Sequence, residues 1–493
     1  MKNIKIITAS AGSGKTYRLS TLLHERIAAG NVRPEAIIAT TFTRKAAAEL
    51  SERVRQRLIS ENLLEEANRL AAARMGTINS VCGRLIGDFA FEQGIFPEAG
   101  VLDEAAANRE VRRAISSVVT QDRTRTLTEL ENRLSSFKWS ETVRRIIQLA
   151  RSNGLTTDDL EKSKAHSRQS IQDLLGQSPP SAADPEQALA AELSAVIESI
   201  DTEADTTKAT QSALDFCQHM LTLVQQGRKP SWSDWRKLAD PGFAKKSIDK
   251  AQALMELAAS HDSHPALKQD LDDAICQVFD IAIATLHIYQ EHKRLWGVVD
   301  FTDQEVLMLK LLDQPEVIAR LQGHIDLLLV DEFQDTSPIE LAILLKLAGI
   351  SKETVWVGDQ KQSIYGFRGT DPALMDTCLA EIVKNRQPEI LDKSWRSRPP
   401  LVKLTSDIFC RAFAQHGIPE ALVRLTPAHK KDDPDLGPPV EWWTISAKNQ
   451  DEDAFALADG IRKLLADPAT IVRDKATNST RPVKPGDIAI LCR

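Results

Sequence analysis

The sequence predicts an α/β fold, a parallel sheet covered by helices on both sides and interrupted by a large all-helical insertion. Three observations predict it. Short apolar runs alternate with amphipathic helical patterns up to about residue 90. A glycine-rich turn separates the first strand from the first helix, and fully apolar strands return at Leu327 and Val355 after a long helical stretch.

The elements follow in order. Ile4–Thr8 reads as a strand, and the helix from Thr16 carries Leu19, Leu22, Leu23 and Ile27 at helical spacing. Ile37–Phe42 reads as a second strand. The next helix sets Ala47, Leu50, Val54 and Leu58 on one face and Arg44, Lys45, Arg53, Arg55 and Arg57 on the other. From Asp103 to Trp296 the pattern is amphipathic helices rich in Ala, Glu, Arg and Leu. They are broken by the proline-rich loop Gly176–Glu186 and again near Lys229–Pro241. Leu327–Val330 and Val355–Val357 are strands of the fully buried, parallel kind. After about Asp376 come a strand near Ile390–Leu391, a helix from Pro399, a loop His429–Pro439, a strand Val440–Ser446, a helix from Asp451 and a strand Asp487–Cys492. The expected division is 1–102 with 297–375 as one split α/β domain, 103–296 as the helical insertion, and 376–493 as the start of another α/β domain, cut short.

With 493 residues the chain is long enough for about three domains at roughly 150 residues each. No apolar run reaches the roughly 18 residues a membrane span needs, and the apolar stretch in MKNIKIITAS is too short for a signal peptide. The cysteines (Cys82, Cys217, Cys276, Cys378, Cys410 and Cys492) are too far apart for a zinc knuckle or a CxxC pair. They fit a reducing compartment, hence a cytoplasmic protein with no membrane partner. The formal net charge of -7 means that nucleic acid, if bound, meets a local basic surface.

Three clusters carry chemistry. Ala9, Ser10, Ala11, Gly12, Ser13, Gly14, Lys15 and Thr16 form a phosphate-binding loop whose usual first glycine is Ala9. Its backbone N–H groups converge on phosphates, Lys15 neutralises the β/γ-phosphates and Thr16 ligates Mg²⁺. In Leu327–Asp335 (LLLVDEFQD) an acidic pair ends an apolar strand, so Asp331 is placed to hold Mg²⁺ and Glu332 to polarise the attacking water. The third, Val357–Gly369 (VGDQKQSIYGFRG), joins Gln362, suited to read a γ-phosphate, to Tyr365, Phe367 and Arg368, suited to single-stranded nucleic acid. By composition alone it equally describes a surface loop with its aromatics tucked into the core.

Together with TTFTRKAAAEL (Thr40–Leu50), GTINS (Gly76–Ser80) and LDKSWRS (Leu391–Ser397), these blocks stand in the order of the UvrD/Rep superfamily 1 helicases, and the chain most resembles their RecB/AddA branch. The resemblance implies two RecA-like cores with ATP and Mg²⁺ between them and single-stranded DNA or a duplex end as substrate. It also implies 3′→5′ polarity, a role in recombination and repair or in anti-phage defence, and, as partner, a second helicase–nuclease subunit. It gives Lys15 and Thr16 the phosphate-loop roles, Asp331 the metal, Glu332 the base, Gln362 the γ-phosphate sensor and Arg396 the arginine from the second core. Trp395 stands where the family has an adenine-stacking tyrosine, and Tyr17 where many relatives have an arginine, so the two are expected to sandwich the base. Thr41, Phe42, Thr43, Arg44 and Thr77 match one set of DNA contacts, and Tyr365, Phe367 and Arg368 another. Departures are the missing adenine-reading glutamine before the first strand, and Asn79 and Val81 in place of a histidine and an aromatic. The family's last motifs would lie beyond Arg493, so the chain alone is expected to bind nucleotide and hydrolyse it poorly. The competing class is a nucleotide-switched DNA-binding module without turnover. A phosphate-loop kinase or GTPase would need neither the aromatic loop nor the basic helix.

Overall fold

The computed structural model describes residues 4–90, 99–176, 184–201, 205–364, 366, 370–384, 387–429, 431–433, 436–474, 477 and 479–491. The chain forms two compact units: Met1–Arg84, Leu312–Thr336 and Glu340–Arg493 make one, and Leu85–Leu311 with Ser337–Ile339 the other.

The first unit is built on strands β1 (Ile4–Ala9), β2 (Ile37–Thr40) and β3 (Arg74–Gly76). The second unit supplies β4 (Gly100–Leu102) and β5 (Val298–Asp300), which pair in parallel with each other. The first unit resumes with β6 (Leu327–Asp331), β7 (Glu353–Gly358) and β8 (Glu389–Leu391). Its sheet has the order β3-β2-β6-β7-β1-β8, and every pairing in it is parallel. Alternate residues explain the packing. Ile7, Ile37, Ala39, Leu327, Leu329, Val355 and Val357 join one buried cluster with Leu19, Leu22, Leu23 and Ile27 of helix α1 (Lys15–Ala28) and Leu50, Val54 and Leu58 of helix α2 (Arg44–Ser60). Their neighbours Ile6, Ile38, Leu328, Val330 and Trp356 are buried as well. A sheet buried on both faces reads in sequence as short, continuously apolar strands, as these do.

The sixth strand comes from beyond Asp376, the position where the sequence suggests a new domain. β8 pairs with β1, Ile7 opposite Glu389, and is tied down by charge. Arg18 on α1 donates from Nε to Glu389 at 2.7 Å, and Lys5 on β1 meets the same carboxylate at 2.5 Å. Two expected strands are absent among the described residues. Val440–Ser446 has no regular structure, and Ile488–Leu491 follows a short 3-10 turn as an irregular segment. A strand needs a neighbour to satisfy its backbone. Downstream of Leu391 the described residues offer only two-stranded ribbons, Lys393–Ser394 with Thr426–Pro427 and Ile471–Arg473 with Thr480–Pro482. Trp442 and Leu491 are accordingly 90% and 96% exposed. The helices expected from Pro399 and Asp451 are present as Pro399–Ala414 and Gln450–Ala466.

In the second unit every element described between Glu104 and Trp296 is helical. The 32-residue helix Pro265–Trp296 contributes Leu267 to one apolar cluster and Val278, Ile281, Ala282, Leu286 and Tyr289 to another. Near its C-terminus Lys293, Tyr289 and Arg151 surround the buried Asp300. Burial opposes charge on that carboxylate, yet Arg151 and Lys293 hold it at about 2. Among the described residues no helix is long and apolar enough to cross a membrane.

Arg18 and Lys5 hold the Glu389 carboxyl down at about 2, against its ordinary 4.5. A depressed carboxylate contributes stability that is present above its unfolded value and lost as pH falls through its folded one. Glu389→Gln should therefore be about 1–2 kcal/mol less stable than wild type at pH 7, allowing for solvent screening of a partly exposed pair. In urea unfolding the difference should persist above pH 4.5 and close as pH falls towards 2. A difference independent of pH would remove the ion pair from the edge of the sheet.

Candidate nucleotide site

β1 ends at Ala9 and α1 starts at Lys15, so five residues must turn the chain from the sheet edge into a helix. Gly12 and Gly14 do so with φ of 76° and 86°, a left-handed conformation that glycine adopts without a side-chain clash. The Ser13 N–H closes the turn on Ser10 O at 3.0 Å. The Ser13 hydroxyl is buried with no hydrogen-bond partner among the described residues, a donor that a phosphate oxygen would satisfy. At the start of α1 the unsatisfied backbone N–H groups and the helix dipole add positive potential.

Parallel pairing brings the acidic pair to the same edge. Val357 of β7 lies opposite both Ile7 of β1 and Asp331 of β6. Lys15 Nζ is 3.2 Å from Asp331 Oδ1 and in contact with Glu332 Oε1. Burial pulls the ammonium down, but the two carboxylates outweigh it and raise Lys15 above its ordinary value. Burial pushes the Asp331 carboxyl up, with Lys15 opposing and Glu332 reinforcing. Two carboxylates thus share one cation in a half-buried site, a balance that a second cation would restore. The oxygens of Thr16 and Asp331 are hard donors of the type Mg²⁺ takes, completed by phosphate or water. Among the described residues no group of three or more His, Cys, Asp and Glu side chains could hold a metal by itself. Glu332 is also left-handed, at φ 57°, a conformation that costs a non-glycine residue backbone energy and persists only where the surroundings hold it.

The block Leu391–Ser397 reaches this loop. Trp395 N–H donates to Gly12 O at 2.8 Å, and a methyl group at Gly14 would lie 3.3 Å from Trp395 Cδ1. Trp395 and Tyr17 are 59% and 69% exposed, leaving ring faces open beside the phosphate loop. Arg396 packs on Gly12, and Gln362 Nε2 donates to Asp359 Oδ2 at 2.8 Å.

The residues matched to DNA contacts divide. Arg44 is exposed at the start of α2, and Phe42 beside it is half-buried. Thr43 Oγ1 caps α2 by accepting from Ala46 N. Thr41 is buried and donates to Thr43 O, and Thr77 Oγ1 accepts from Ser80 N. Tyr365, Phe367 and Arg368 lie outside the described residues. Sequence reasoning gave no role to Gln334 and Asp359, which link the acidic pair to the loop after β7: Gln334 bonds both Glu332 and the Asp359 N–H. Their only signal was membership of the VDEFQD and GDQKQS blocks.

A family model described as the UvrD/REP helicase N-terminal domain matches residues 1–381. A protein named as an ATP-dependent helicase/nuclease subunit, from Lactobacillus delbrueckii subsp. bulgaricus, is 26% identical, covering 99% of this chain and 46% of its own length. Proteins of the same name from Streptococcus uberis and Natranaerobius thermophilus are 24% and 31% identical over 82% and 50% of the chain, corresponding to 37% and 19% of their lengths. The chain thus spans about half the length, or less, of the curated relatives it matches.

A Cβ at Gly12 would sit 2.8 Å from Arg396 Cβ, on a backbone that costs L-residues roughly 1–2 kcal/mol. Gly12→Ala should therefore lower affinity for a fluorescent ATP analogue at least tenfold while leaving the circular-dichroism spectrum unchanged. Wild-type affinity in the variant would show that the loop does not hold phosphate in this conformation.

Proposed function

Because the chain belongs to the UvrD/REP helicase N-terminal-domain family, we propose that it is the N-terminal motor half of an ATP-dependent DNA helicase. In this reading it moves 3′→5′ on single-stranded DNA from duplex ends in recombination and repair, in the cytoplasm, beside a second helicase–nuclease subunit. On the same reading residues 1–102 and 297–375, joined by β8 (Glu389–Leu391), which pairs with β1, form its first RecA-like core, 103–296 the helical accessory insertion, and the remainder of 376–493 the start of the second core. The observation that carries the reading is the meeting of Lys15 with Asp331 and Glu332 at the end of a parallel sheet, beside a loop carrying left-handed glycines.

The chemistry follows from charge. Lys15 leaves its carboxylates for the β/γ-phosphates of ATP, which offer more negative charge, and is pre-placed to do so. Thr16 and Asp331 hold Mg²⁺, which when bound neutralises the phosphate oxygens. Glu332 orients the attacking water and takes its proton, Gln362 senses the γ-phosphate, and Arg396 approaches it from the other side. Arginines in that role are worth about 10³–10⁵ in rate in related phosphoryl-transfer systems. Tyr17 and Trp395 clamp the base by its faces. Arg18, next to Tyr17, is bound at two points to Glu389, so stacking, which every base offers, dominates over edge recognition. Single-stranded DNA meets Phe42, Thr43, Arg44, Thr77, Tyr365, Phe367 and Arg368, while Thr41, buried, holds the turn at Thr43.

The test is the ATPase rate with and without single-stranded DNA, alongside Lys15→Ala. Wild type should bind ATP and show turnover, slow in this chain alone, that DNA raises. Lys15→Ala should bind at least tenfold more weakly; equal hydrolysis by the variant would take Lys15 out of the site. GTP should bind within about threefold of ATP. Strict selectivity for ATP would overturn the stacking clamp and leave the phosphate site standing.

A further inference from the structure

Arg396 packs on Gly12 of the phosphate loop. Its side chain is exposed, and its guanidinium makes no hydrogen bond or ion pair among the described residues. The direction of Arg396 is therefore set by the backbone on either side of it, and one stretch of chain holds both sides. Upstream, the Thr426 N–H donates to Asp392 O at 2.7 Å and the Ala428 N–H to Ser394 O at 2.9 Å, where Lys393–Ser394 runs parallel to Thr426–Pro427. Downstream, Arg398 grips Asp432 with two prongs: Nε donates to Oδ1 and Nη2 to Oδ2, both at 2.7 Å. The third nitrogen, Nη1, donates to Gly437 O at 2.9 Å.

The helix Pro399–Ala414 starts at the next residue and holds the same stretch. Its Ser406, 4% exposed, accepts the Leu425 N–H on Oγ at 3.2 Å and donates to Leu425 O at 3.4 Å. Leu425, Thr426, Ala428 and Asp432 thus frame the segment that carries Trp395 and Arg396. An ion pair as accessible as Arg398 with Asp432 adds little to stability, because water screens it. Its worth is geometric: a guanidinium fork on a carboxylate fixes distance and plane together. Arg396 is two residues from that fork, so a swing of the Arg398 backbone moves Arg396 with it.

We propose that Arg398, fastened by Asp432, is a positioning residue that keeps Arg396 aimed over the phosphate loop, so that Arg396 meets a γ-phosphate without first having to be ordered. This role rests on the reading of Arg396 as the arginine that approaches the γ-phosphate, and adds the pair that aims it. A group held in place before its ligand arrives spends less of its binding energy on ordering.

Only a triphosphate offers the γ-phosphate, so the dissociation constant for ADP divided by that for AMP-PNP, each with Mg²⁺, reports the Arg396 contact. Calorimetric titration of the 493-residue chain measures both. A hydrogen bond to a charged group is worth about tenfold or more in affinity, so Arg396→Ala should lower the ratio at least fivefold. Arg398→Gln and Asp432→Asn break the fork from opposite sides. Each should lower the ratio at least threefold and leave the ADP constant within about twofold of wild type. In the Arg396→Ala background neither should lower it further, because non-additivity marks residues that act through one another. A merely structural role would lower the melting temperature and weaken both nucleotides alike. A ratio kept in both variants while Arg396→Ala loses it overturns the proposal alone. A further fall in the Arg396→Ala background overturns it too, since Arg398 would then act by itself. A wild-type ratio in Arg396→Ala overturns the reading of Arg396 and this role together, and leaves the phosphate site standing. If Arg398→Gln does not fold, Asp432→Asn decides.

Discussion

Everything at the candidate site depends on the parallel register of three adjacent strands. β7 lies between β1 and β6, with Val357 opposite Ile7 on one side and Asp331 on the other. The C-terminal ends of the three strands are therefore level, although the chain visits them far apart in sequence. Each strand end opens into a loop at the same edge: the phosphate loop after β1, the acidic pair after β6 and the glutamine loop after β7. This is the edge where open α/β sheets bind ligands, because helix N-termini and strand C-termini meet there. Burial of both faces keeps the register, since a slip of one residue would exchange Ile37, Ala39, Leu327 and Leu329 with the neighbours that pack on the other face.

Charge then does within the site what register does between strands. Two carboxylates and one ammonium meet where Asp331 and Lys15 are both largely shielded from water, so one negative charge is in excess, and removing Lys15 would leave both carboxylates without a cation. The arrangement favours exchange. Lys15 sits in a place that a metal ion suits, and phosphates are a better partner for Lys15 than carboxylates are. The left-handed turn at Glu332 fits the same picture, since it lets two successive carboxylates serve different neighbours, Asp331 reaching Lys15 and Glu332 reaching both Lys15 and Gln334.

Legibility in the sequence followed the range of the forces involved. β1, α1, β2 and α2 were readable because apolar spacing and the glycine turn are local signals. The acidic pair was readable because it ends an apolar run. The attachment of β8 was not, because it is set by Lys5 and Arg18 reaching Glu389, residues distant in the chain. Val440–Ser446 looked like a strand from composition, but composition cannot supply a neighbouring strand. Gln334 stood in plain view inside the VDEFQD block, yet its use depends on Gly358 approaching closely enough to touch it, which no local pattern encodes. The threonines matched to DNA contacts show the opposite limit. Thr43 and Thr77 have a local task in holding the ends of backbone turns, and a sequence match cannot separate that task from ligand binding.

The net charge of -7 requires that any hold on DNA be local, and the helix after β2 carries positive charge of that local kind. Of its five cations, Arg53 is paired with Glu49, and Arg57 with Glu61 and Thr21. Arg44, Lys45 and Arg55 are exposed and form no ion pair among the described residues. Arg44 and Lys45 stand in the first turn of α2, where the helix dipole already favours anions. Placing cations there is unfavourable for an isolated helix, and a phosphate held across the helix start would reverse that penalty. The same unfavourable placement, which local propensity argues against, is what a backbone-binding site needs: contact with phosphate oxygens, independent of base sequence.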